Sequence, residues 1–167
     1  PCFGNVYKLV EIDGEAVLKR SEDKIKLINP GSQITYRIMI NDPSKGEIFK
    51  VDVTCLRGDE LSRKIEAGET FTVCDEYDRY KTKTFEAGEY TAMTMQHKVI
   101  ENGKRWVPHH TLAEKKEYYN RTLMHFSPSE RRLINPHYYK VDISDDLYNL
   151  KMGIINNIVT EIRNFKL

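Results

Sequence analysis

Two adjacent histidines are the first candidates for metal binding or catalysis. His109 and His110 directly follow Pro108, and neighbours in sequence cannot share one helical face as ligands spaced i, i+4 do. We therefore expect a solvated loop rather than a metal or catalytic site. The sequence contains neither a GxxxxGK[ST] nor a GxGxxG phosphate motif, and it contains no HExxH motif. These patterns predict no catalytic, substrate-binding or metal-binding residue.

An acidic cluster formed by Asp75, Glu76 and Asp78 is the second candidate, because carboxylates bind hard cations. The cluster lacks the ligand spacing of an EF-hand loop. Three basic residues follow it closely, namely Arg79, Lys81 and Lys83. Mixed charges at this spacing favour a solvated turn over a cation site.

The three cysteines, Cys2, Cys55 and Cys74, form no CxxC pair. An odd number of cysteines in a charged chain is typical of free thiols in a reducing cytosol. Cys55 and Cys74 each end a predicted strand, and neither lies beside residues that would activate a thiolate. We expect both to be buried thiols that are not bonded to each other.

The segment 101–140 is basic, with eight Lys or Arg against four Glu, and it contains four of the five histidines. Its basic residues include Arg131, Arg132 and Lys140, and its aromatic residues include Trp106, Tyr118, Tyr119, Tyr138 and Tyr139. Basic side chains between stacking rings are what single-stranded nucleic acid binding requires. A net charge of +1 for the whole chain argues against a generic nucleic-acid binder. Nucleic acid is therefore an unlikely partner, and this function is kept as an alternative.

Strands and hairpins are predicted for residues 1–108. Asp13-Gly14 and Asn102-Gly103 are typical of two-residue hairpin turns, and the loop 41–46 separates two longer apolar runs at 35–40 and 47–55. The segments 65–73 and 85–93 share Glu-Ala-Gly-Glu, which indicates a turn entering a strand in each case. The sequence therefore predicts an antiparallel sheet.

The pattern becomes helical after Pro108, so that 109–167 should be mainly helical. Capping signals predict helices at 111–125, 128–133 and 145–163, starting after Thr111, Ser127 and Ser144. Apolar stripes indicate one buried face on the first and last helices. They comprise Leu112, Tyr119, Leu123 and Phe126, and then Leu147, Leu150, Ile154, Ile158 and Ile162. The predicted fold class is α+β, with helices confined to the C-terminal third.

The whole chain of 167 residues fits one domain, and 40% hydrophobic with 31% charged residues is a globular composition. The sequence predicts no membrane span and no secretion signal, which leads us to expect a cytoplasmic protein.

Four ordered segments of the chain resemble nicotinate phosphoribosyltransferases. PCFGNVYKL (1–9) resembles that family's Pro-x-Leu-Gly-Gly-Val-Tyr-Lys-Leu stretch, with Phe3 for Leu and Asn5 for the second Gly. LKRSED, NPG and YRI follow in the family's order, and FSPSERRLINPHYYKVDISDDLYNLK (126–151) is similar to its C-terminal pattern. Residues 56–110 match weakly. The resemblance implies a single C-terminal domain fragment over 1–167, downstream of the catalytic barrel.

The resemblance also implies a parent reaction of NAD salvage. Nicotinate and phosphoribosyl pyrophosphate give nicotinate mononucleotide, driven by ATP hydrolysis and assisted by Mg²⁺. The family's catalytic and phosphate-binding residues lie upstream, so no cofactor and no catalytic role carries over to this chain. We expect a structural domain, inactive alone, whose partner is the rest of the enzyme, and a homodimer with a second copy is left open.

One helix start could offer an anion site. Arg131 and Arg132 lie close behind Ser127, but Pro128 removes one backbone donor. Asp145 and Asp146 would repel a phosphate at the last helix start. We therefore expect the isolated chain to bind neither phosphoribosyl pyrophosphate nor ATP specifically. The alternative is a stand-alone β-rich interaction module that uses 101–140.

Overall fold

A six-stranded mixed sheet organises the structure, a computed structural model that describes residues 7–19, 21 and 27–164. The strands follow the order β6-β5-β10-β4-β3-β7, and β1-β2 and β8-β9 form two separate hairpins. The elements are β1 (Glu11–Ile12), β2 (Glu15–Ala16), β3 (Gln33–Asp42), β4 (Gly46–Leu56), α1 (Glu60–Ala67), β5 (Phe71–Asp75), β6 (Thr82–Phe85), β7 (Thr91–Thr94), β8 (Ile100–Glu101), β9 (Lys104–Arg105), α2 (Leu112–Met124), α3 (Pro128–Arg131), β10 (Val141–Ile143) and α4 (Asp145–Asn164). The predicted α+β class is confirmed.

The three predicted hairpins are confirmed, since β1-β2, β3-β4 and β8-β9 all pair antiparallel. Asp13 and Gly14 have φ of 51° and 82°, and Asn102 and Gly103 have 50° and 72°. Two consecutive positive φ angles define the turn that best matches the twist of a hairpin. The Asp-Gly and Asn-Gly dipeptides therefore fix the register of the two short hairpins.

The largest cluster of buried apolar side chains lies on one face of the sheet and under α1. A β-bulge in β4 leaves Lys50 without a partner, because Ile38 pairs with Val51 and Met39 with Phe49. The buried core residues are Ile34, Tyr36, Ile38, Val51, Val53, Cys55, Ile65, Phe71, Val73 and Phe85. The alternation along β3 and β4 places these apolar side chains on the same face of the sheet, because successive side chains of a strand point to opposite faces.

Helix α1 corrects the prediction that helices are confined to the C-terminal third. Asp59 caps its first turn by accepting from Ser62 N, and Gly68 ends it with φ of 69°. These residues are the usual start and stop signals of a helix. The predicted turn entering a strand at 65–73 is correct for Gly68 and β5, but the sequence analysis did not consider Asp59 as a helix cap.

Strand β10 corrects the prediction of an antiparallel sheet, and it adds a three-residue strand to the mainly helical region 109–167. It runs parallel to β4 and antiparallel to β5, so it fills the gap between two strands that are far from it in sequence. A three-residue strand is too short for its hydrophobic period to be recognised. The sheet is antiparallel except for this one pair.

The predicted helices after Pro108 are confirmed in position as α2, α3 and α4. Their predicted buried faces are only partly correct. Leu112 and Tyr119 of α2 are 83% and 61% exposed, and none of the residues of α2 is buried. In α4 only Leu147 and Lys151 are buried. Within the described residues, no helix combines the length and the apolarity needed to cross a bilayer.

Candidate functional site

The residues first considered for metal chemistry lie apart from one another. His109 and His110 occupy the exposed loop before α2. Across residues 7–19, 21 and 27–164, no group of three His, Cys, Asp or Glu side chains is arranged to hold a metal ion. Cys2, Gly4 and Asn5 lie outside the described residues.

The acidic cluster forms a turn in which one of its own carboxylates accepts hydrogen bonds from the backbone. Asp75 Oδ1 accepts hydrogen bonds from the backbone N–H of Tyr77 at 2.8 Å and of Asp78 at 3.0 Å. The Asp78 carboxylate pairs with Lys81 at 3.1 Å. Glu76 departs from the predicted solvated turn, because it faces α4.

Glu76 forms a largely buried ion pair with Lys151 of α4, with 2.6 Å between Oε1 and Nζ. The Lys151 ammonium also donates to Asn29 Oδ1 at 2.9 Å. Lys151 retains only 8% of its surface, so both partners are needed to replace its hydration. This first clamp joins α4 to the turn after β5 and to the chain that enters β3.

A second clamp joins the starts of two helices. Asp59 Oδ2 accepts from Leu56 N at 3.0 Å and from Ser144 Oγ at 2.7 Å. Ser144 Oγ in turn accepts from Leu147 N at 3.2 Å. The Asp59 carboxylate, which also caps α1, is therefore fully occupied by structural donors.

A third clamp fixes two parts of the chain to the sheet, namely the residues just after α2 and the residues just before β10. Arg37 donates to both oxygens of Asp52 at 2.8 and 2.7 Å, and Tyr139 donates to Asp52 Oδ1 at 3.0 Å. Rings of Phe49, Phe126 and Tyr139 lie 4.6 to 5.7 Å from the Arg37 guanidinium. Cation–π contacts of this kind add to the bidentate pair.

Electrostatics fix the protonation of this third clamp. Burial and the adjacent Asp52 carboxylate raise the pKa of the Tyr139 phenol, and the hydrogen bonds to Asp52 raise that of Arg37. The phenol thus stays a neutral donor. Tyr139, considered from sequence as a nucleic-acid stacking ring, belongs instead to the domain's own packing.

The groups at the helix start after Ser127 already bond to other groups of the chain. The Ser127 backbone N–H donates to Glu130 Oε2 at 2.9 Å, and Arg132 Nε donates to the Asn135 carbonyl at 2.6 Å. An acid already lies where an anion would bind, and α3 has only four residues. The geometry therefore does not support the anion site considered from sequence.

The thiols Cys55 and Cys74 are free, Cys55 buried and Cys74 half-buried. Burial raises the pKa of the Cys55 thiol, with Asp59 as the next cause. A thiol whose pKa is raised is a poor nucleophile, which agrees with the predicted inert role for Cys55.

Residues 32–151, more than half of the chain, match the family described as the nicotinate phosphoribosyltransferase C-terminal domain. The chain belongs to this family. It is 29% identical to the bovine nicotinate phosphoribosyltransferase over 90% of this chain and 26% of the relative. It is 25% identical to that of Bacillus subtilis, over 97% of this chain and 32% of the relative.

The fold of this C-terminal domain is also that of part of a solved structure. The crystal structure of human nicotinic acid phosphoribosyltransferase superposes with a TM-score of 0.65 over 92% of this chain and 26% of that one, at 20% identity. The chain spans about a quarter to a third of the length of these curated relatives. Most of the length of each relative therefore lies outside the region that this chain matches.

Exposed apolar side chains are concentrated between residues 99 and 138, a region that we call the 99–138 segment. Ten large apolar side chains in it are exposed: Val99, Ile100, Trp106, Leu112, Tyr118, Tyr119, Met124, Leu133, Ile134 and Tyr138. The segment is nevertheless fixed to the sheet just after α2, because Phe49 N donates to the His125 carbonyl at 2.9 Å. The segment is therefore held against the sheet while its apolar side chains face outward.

Proposed function

We propose that this chain is the C-terminal domain of a longer nicotinate phosphoribosyltransferase. The parent enzyme would convert nicotinate and phosphoribosyl pyrophosphate to nicotinate mononucleotide with ATP and Mg²⁺. The observation that carries the proposal is the family match over 32–151, in relatives of which this chain covers about a quarter.

The role we assign to the domain is structural. A 13-residue helix is only marginally stable in water without tertiary packing, yet α2 has no buried residue. Leu133 and Tyr138 are 100% and 97% exposed in the same segment. Covering these side chains with the remainder of the enzyme would stabilise α2 and remove apolar surface from water.

The domain by itself is inactive in this proposal. The polar residues of the three clamps bond to one another and are therefore not free to bind substrate. ATP and Mg²⁺ belong to the parent enzyme's other domains. In this proposal the protein acts in the cytoplasm, and the parent enzyme pairs with a second copy as a homodimer.

Intact mass of the natural gene product is the first test. A product of roughly three to four times 19.6 kDa is expected, since the chain covers 26% of its bovine relative and 32% of its Bacillus subtilis relative. A natural product of 19.6 kDa would contradict the proposal. Isolated chain supplied with nicotinate, phosphoribosyl pyrophosphate, ATP and Mg²⁺ should form no nicotinate mononucleotide.

A surface variant of the full-length protein tests the structural role. Tyr138→Ser should accelerate proteolytic release of this domain and lower nicotinate mononucleotide formation. Tyr80→Ser is the matched control, because Tyr80 is also 97% exposed but lies in the turn between β5 and β6. Equal effects of the two substitutions would contradict a docking role for the 99–138 segment.

Exposed rings favour one second candidate, a nucleic-acid-binding module. Trp106 and Tyr118 are exposed, and Arg121 lies over the Tyr118 ring at 5.9 Å. Such rings could stack on unpaired bases. Binding of a single-stranded oligonucleotide that weakens steeply with salt, and is lost in Tyr118→Ala, would favour this module.

A further inference from the structure

Strand β7 lies at one edge of the sheet, and its outer side has no neighbouring strand in the described part of the chain. All four of its residues are exposed. The other edge strand, β6, contains Lys83, and a charged residue on an edge discourages pairing with another chain. β7 has the sequence Thr-Ala-Met-Thr, with neither a charge nor a proline. Its edge is therefore open to a further strand.

The pairing of β7 with β3 determines which of its backbone groups point outward. Met95 N, just after β7, donates to the Thr35 carbonyl at 2.8 Å, so the backbone of Met95 faces β3. Backbone groups of successive residues point to alternate sides of a strand, and Met93 therefore faces β3 as well. The N–H and C=O groups of Ala92 and Thr94 consequently point away from the sheet. Unpaired backbone groups of this kind are the ones that an added strand bonds.

A groove lies beside this open edge, on the face of the sheet that α1 covers. Ala92 pairs with Ile38 and Thr94 pairs with Tyr36, so both side chains lie on the face that carries the buried cluster. A cavity of about 570 Å³ lies between them and the end of α1, and its lining includes Ile34, Ile65, Glu66 and Tyr90. Every second side chain of a strand added to β7 would enter this groove.

Glu66 determines which charge the groove accepts, because it is the one charged residue of the lining within the described residues. Its Oε1 accepts from the Tyr36 hydroxyl, and Glu66 forms no ion pair with another residue of the described chain. Burial, followed by the hydrogen bond to Glu66, raises the pKa of the Tyr36 phenol, which stays a neutral donor. A lysine or arginine head group would supply a cation, with its apolar stem on Ile34 and Ile65.

We propose that β7 and this groove bind an extended basic segment of a separate protein as an added antiparallel strand, with one Lys or Arg side chain pairing with Glu66. Main-chain hydrogen bonds to Ala92 and Thr94 supply affinity, and the groove supplies the preference for a basic side chain. In an antiparallel pair, the residues opposite Ala92 and Thr94 direct their N–H groups at β7 and their side chains into the groove. The same residues of the bound segment therefore make both contacts.

A second copy of this chain is a poorer occupant of the groove. Pairing of β7 with the β7 strand of another copy would place Ala92 and Thr94 in the groove, since their side chains lie on that face. These side chains are short and uncharged, so they cannot form an ion pair with Glu66. The groove therefore favours a different segment that contains a basic residue.

The remainder of the enzyme is proposed to cover the 99–138 segment, which contacts the other face of the sheet. The ring of Phe126 in that segment lies 5.6 Å from the Arg37 guanidinium. Arg37 lies between Tyr36 and Ile38, which are both buried in the main cluster, and so projects from the opposite face. Docking there leaves the groove free for a separate protein. The choice of a separate partner therefore rests on the proposed function, whereas the site itself does not.

A peptide of sequence Ser-Val-Thr-Lys-Thr-Val-Ser, labelled with fluorescein, tests the site by fluorescence anisotropy. It should bind the 167-residue chain, and glutamate in place of its lysine should weaken binding about tenfold. N-methylation of its lysine and valines removes the N–H groups that face β7 and should abolish binding. N-methylation of its two threonines should not, because their N–H groups face away. Equal affinities of the two methylated peptides, or no binding of the unmodified peptide, would overturn the proposal.

Variants of the chain locate the contact. Glu66→Gln should weaken binding of the lysine peptide about fivefold, as expected for loss of a partly exposed ion pair. Glu69→Gln is the matched control, because Glu69 is exposed and lies just beyond α1 but does not line the groove. Equal weakening by both substitutions would contradict the pairing with Glu66.

Ala92→Pro removes an outward N–H and leaves the bonds to β3 intact, since proline is tolerated where an edge strand faces solvent. It should abolish binding of the peptide, and unchanged affinity would contradict strand addition. Should this variant not fold, hydrogen exchange of the unmodified chain gives the same information. The peptide should slow exchange of the Ala92 and Thr94 amides but not that of Met93, and absence of this protection would contradict the site.

Exchange and binding measurements also separate the three occupants. Without peptide, the Ala92 and Thr94 amides should exchange rapidly at every protein concentration. Protection that grows with protein concentration would assign the edge to a second copy and overturn the proposal. The full-length protein should bind the peptide as tightly as the 167-residue chain, and loss of binding there would overturn it by showing that the enzyme covers its own groove. Neither result depends on formation of nicotinate mononucleotide, so failure of the proposed function remains distinguishable.

Discussion

Ser144 Oγ donates a hydrogen bond of 2.7 Å to Asp59 Oδ2, although 85 residues separate them. The same carboxylate caps α1 through Ser62 N at 2.7 Å. One buried acid thus orients the first turns of α1 and α4 together.

Replacing this acid should lower stability strongly. Asp59→Ala removes a helix cap and leaves the Leu56 N–H and the Ser144 hydroxyl without their acceptor. Loss of a cap and of buried acceptors predicts a decrease of about 3 kcal/mol in the free energy of unfolding. Urea unfolding followed by circular dichroism measures it. The adjacent Glu60→Ala, which removes only an exposed pair with Lys64, should leave the midpoint almost unchanged, and equal midpoints for both variants would refute the assignment.

The Lys151–Glu76 pair should show the behaviour of a buried ion pair. Lys151→Ala leaves the Glu76 carboxylate largely buried without its cation, for which we expect a loss of about 3 kcal/mol. Lys151→Met combined with Glu76→Leu should recover much of that loss, since apolar side chains of similar volume can replace such a pair. Urea unfolding of both variants provides the comparison. A double variant as unstable as Lys151→Ala would argue against this pair as the cause.

Tyr139 should make stability fall in alkaline solution. Its folded-state pKa lies above the ordinary value of about 10, so the unfolded chain releases the phenolic proton first. The contribution is therefore fully present below about pH 10 and is lost as the pH rises above it. Unfolding free energies between pH 8 and pH 11 should fall less steeply for Tyr139→Phe.

The same substitution should cost about 1 kcal/mol at neutral pH, because the hydrogen bond to Asp52 is lost. Tyr138→Phe is the control, since Tyr138 is almost fully exposed. An unchanged alkaline slope in Tyr139→Phe would show that other tyrosines dominate the effect, Tyr36 being the strongest alternative.

Thiol titration checks the cysteine chemistry. The unfolded chain, kept without reductant, should react at three thiols, because we predict that Cys2, Cys55 and Cys74 are all free. In the folded chain Cys55 should react slowest, since it is buried and its thiolate is disfavoured. A count of one thiol after unfolding would reveal a disulfide.

Local signals account for what the sequence predicted well. Asp13-Gly14 and Asn102-Gly103 determine their hairpins within four residues, and Thr111 with Glu114 determines the start of α2. Contacts distant in sequence account for the failures. The roles of Glu76 and Tyr139 depend on Lys151 and Asp52, each 75 or more residues away.

The bulge in β4 and the position of β10 between β4 and β5 could not be predicted either. Neither a bulge nor a register between non-adjacent strands can be read from residue spacing.

The central position of β10 has a consequence for synthesis on the ribosome. A nascent chain that has not yet reached Val141 can pair β3, β4 and β7 in one group and β5 with β6 in another, but it lacks the strand that joins them. Vectorial folding therefore leaves two exposed inner edges until late in translation, and such edges invite aggregation or chaperone binding. A stop codon before residue 141 should consequently yield an aggregation-prone product rather than a smaller folded domain.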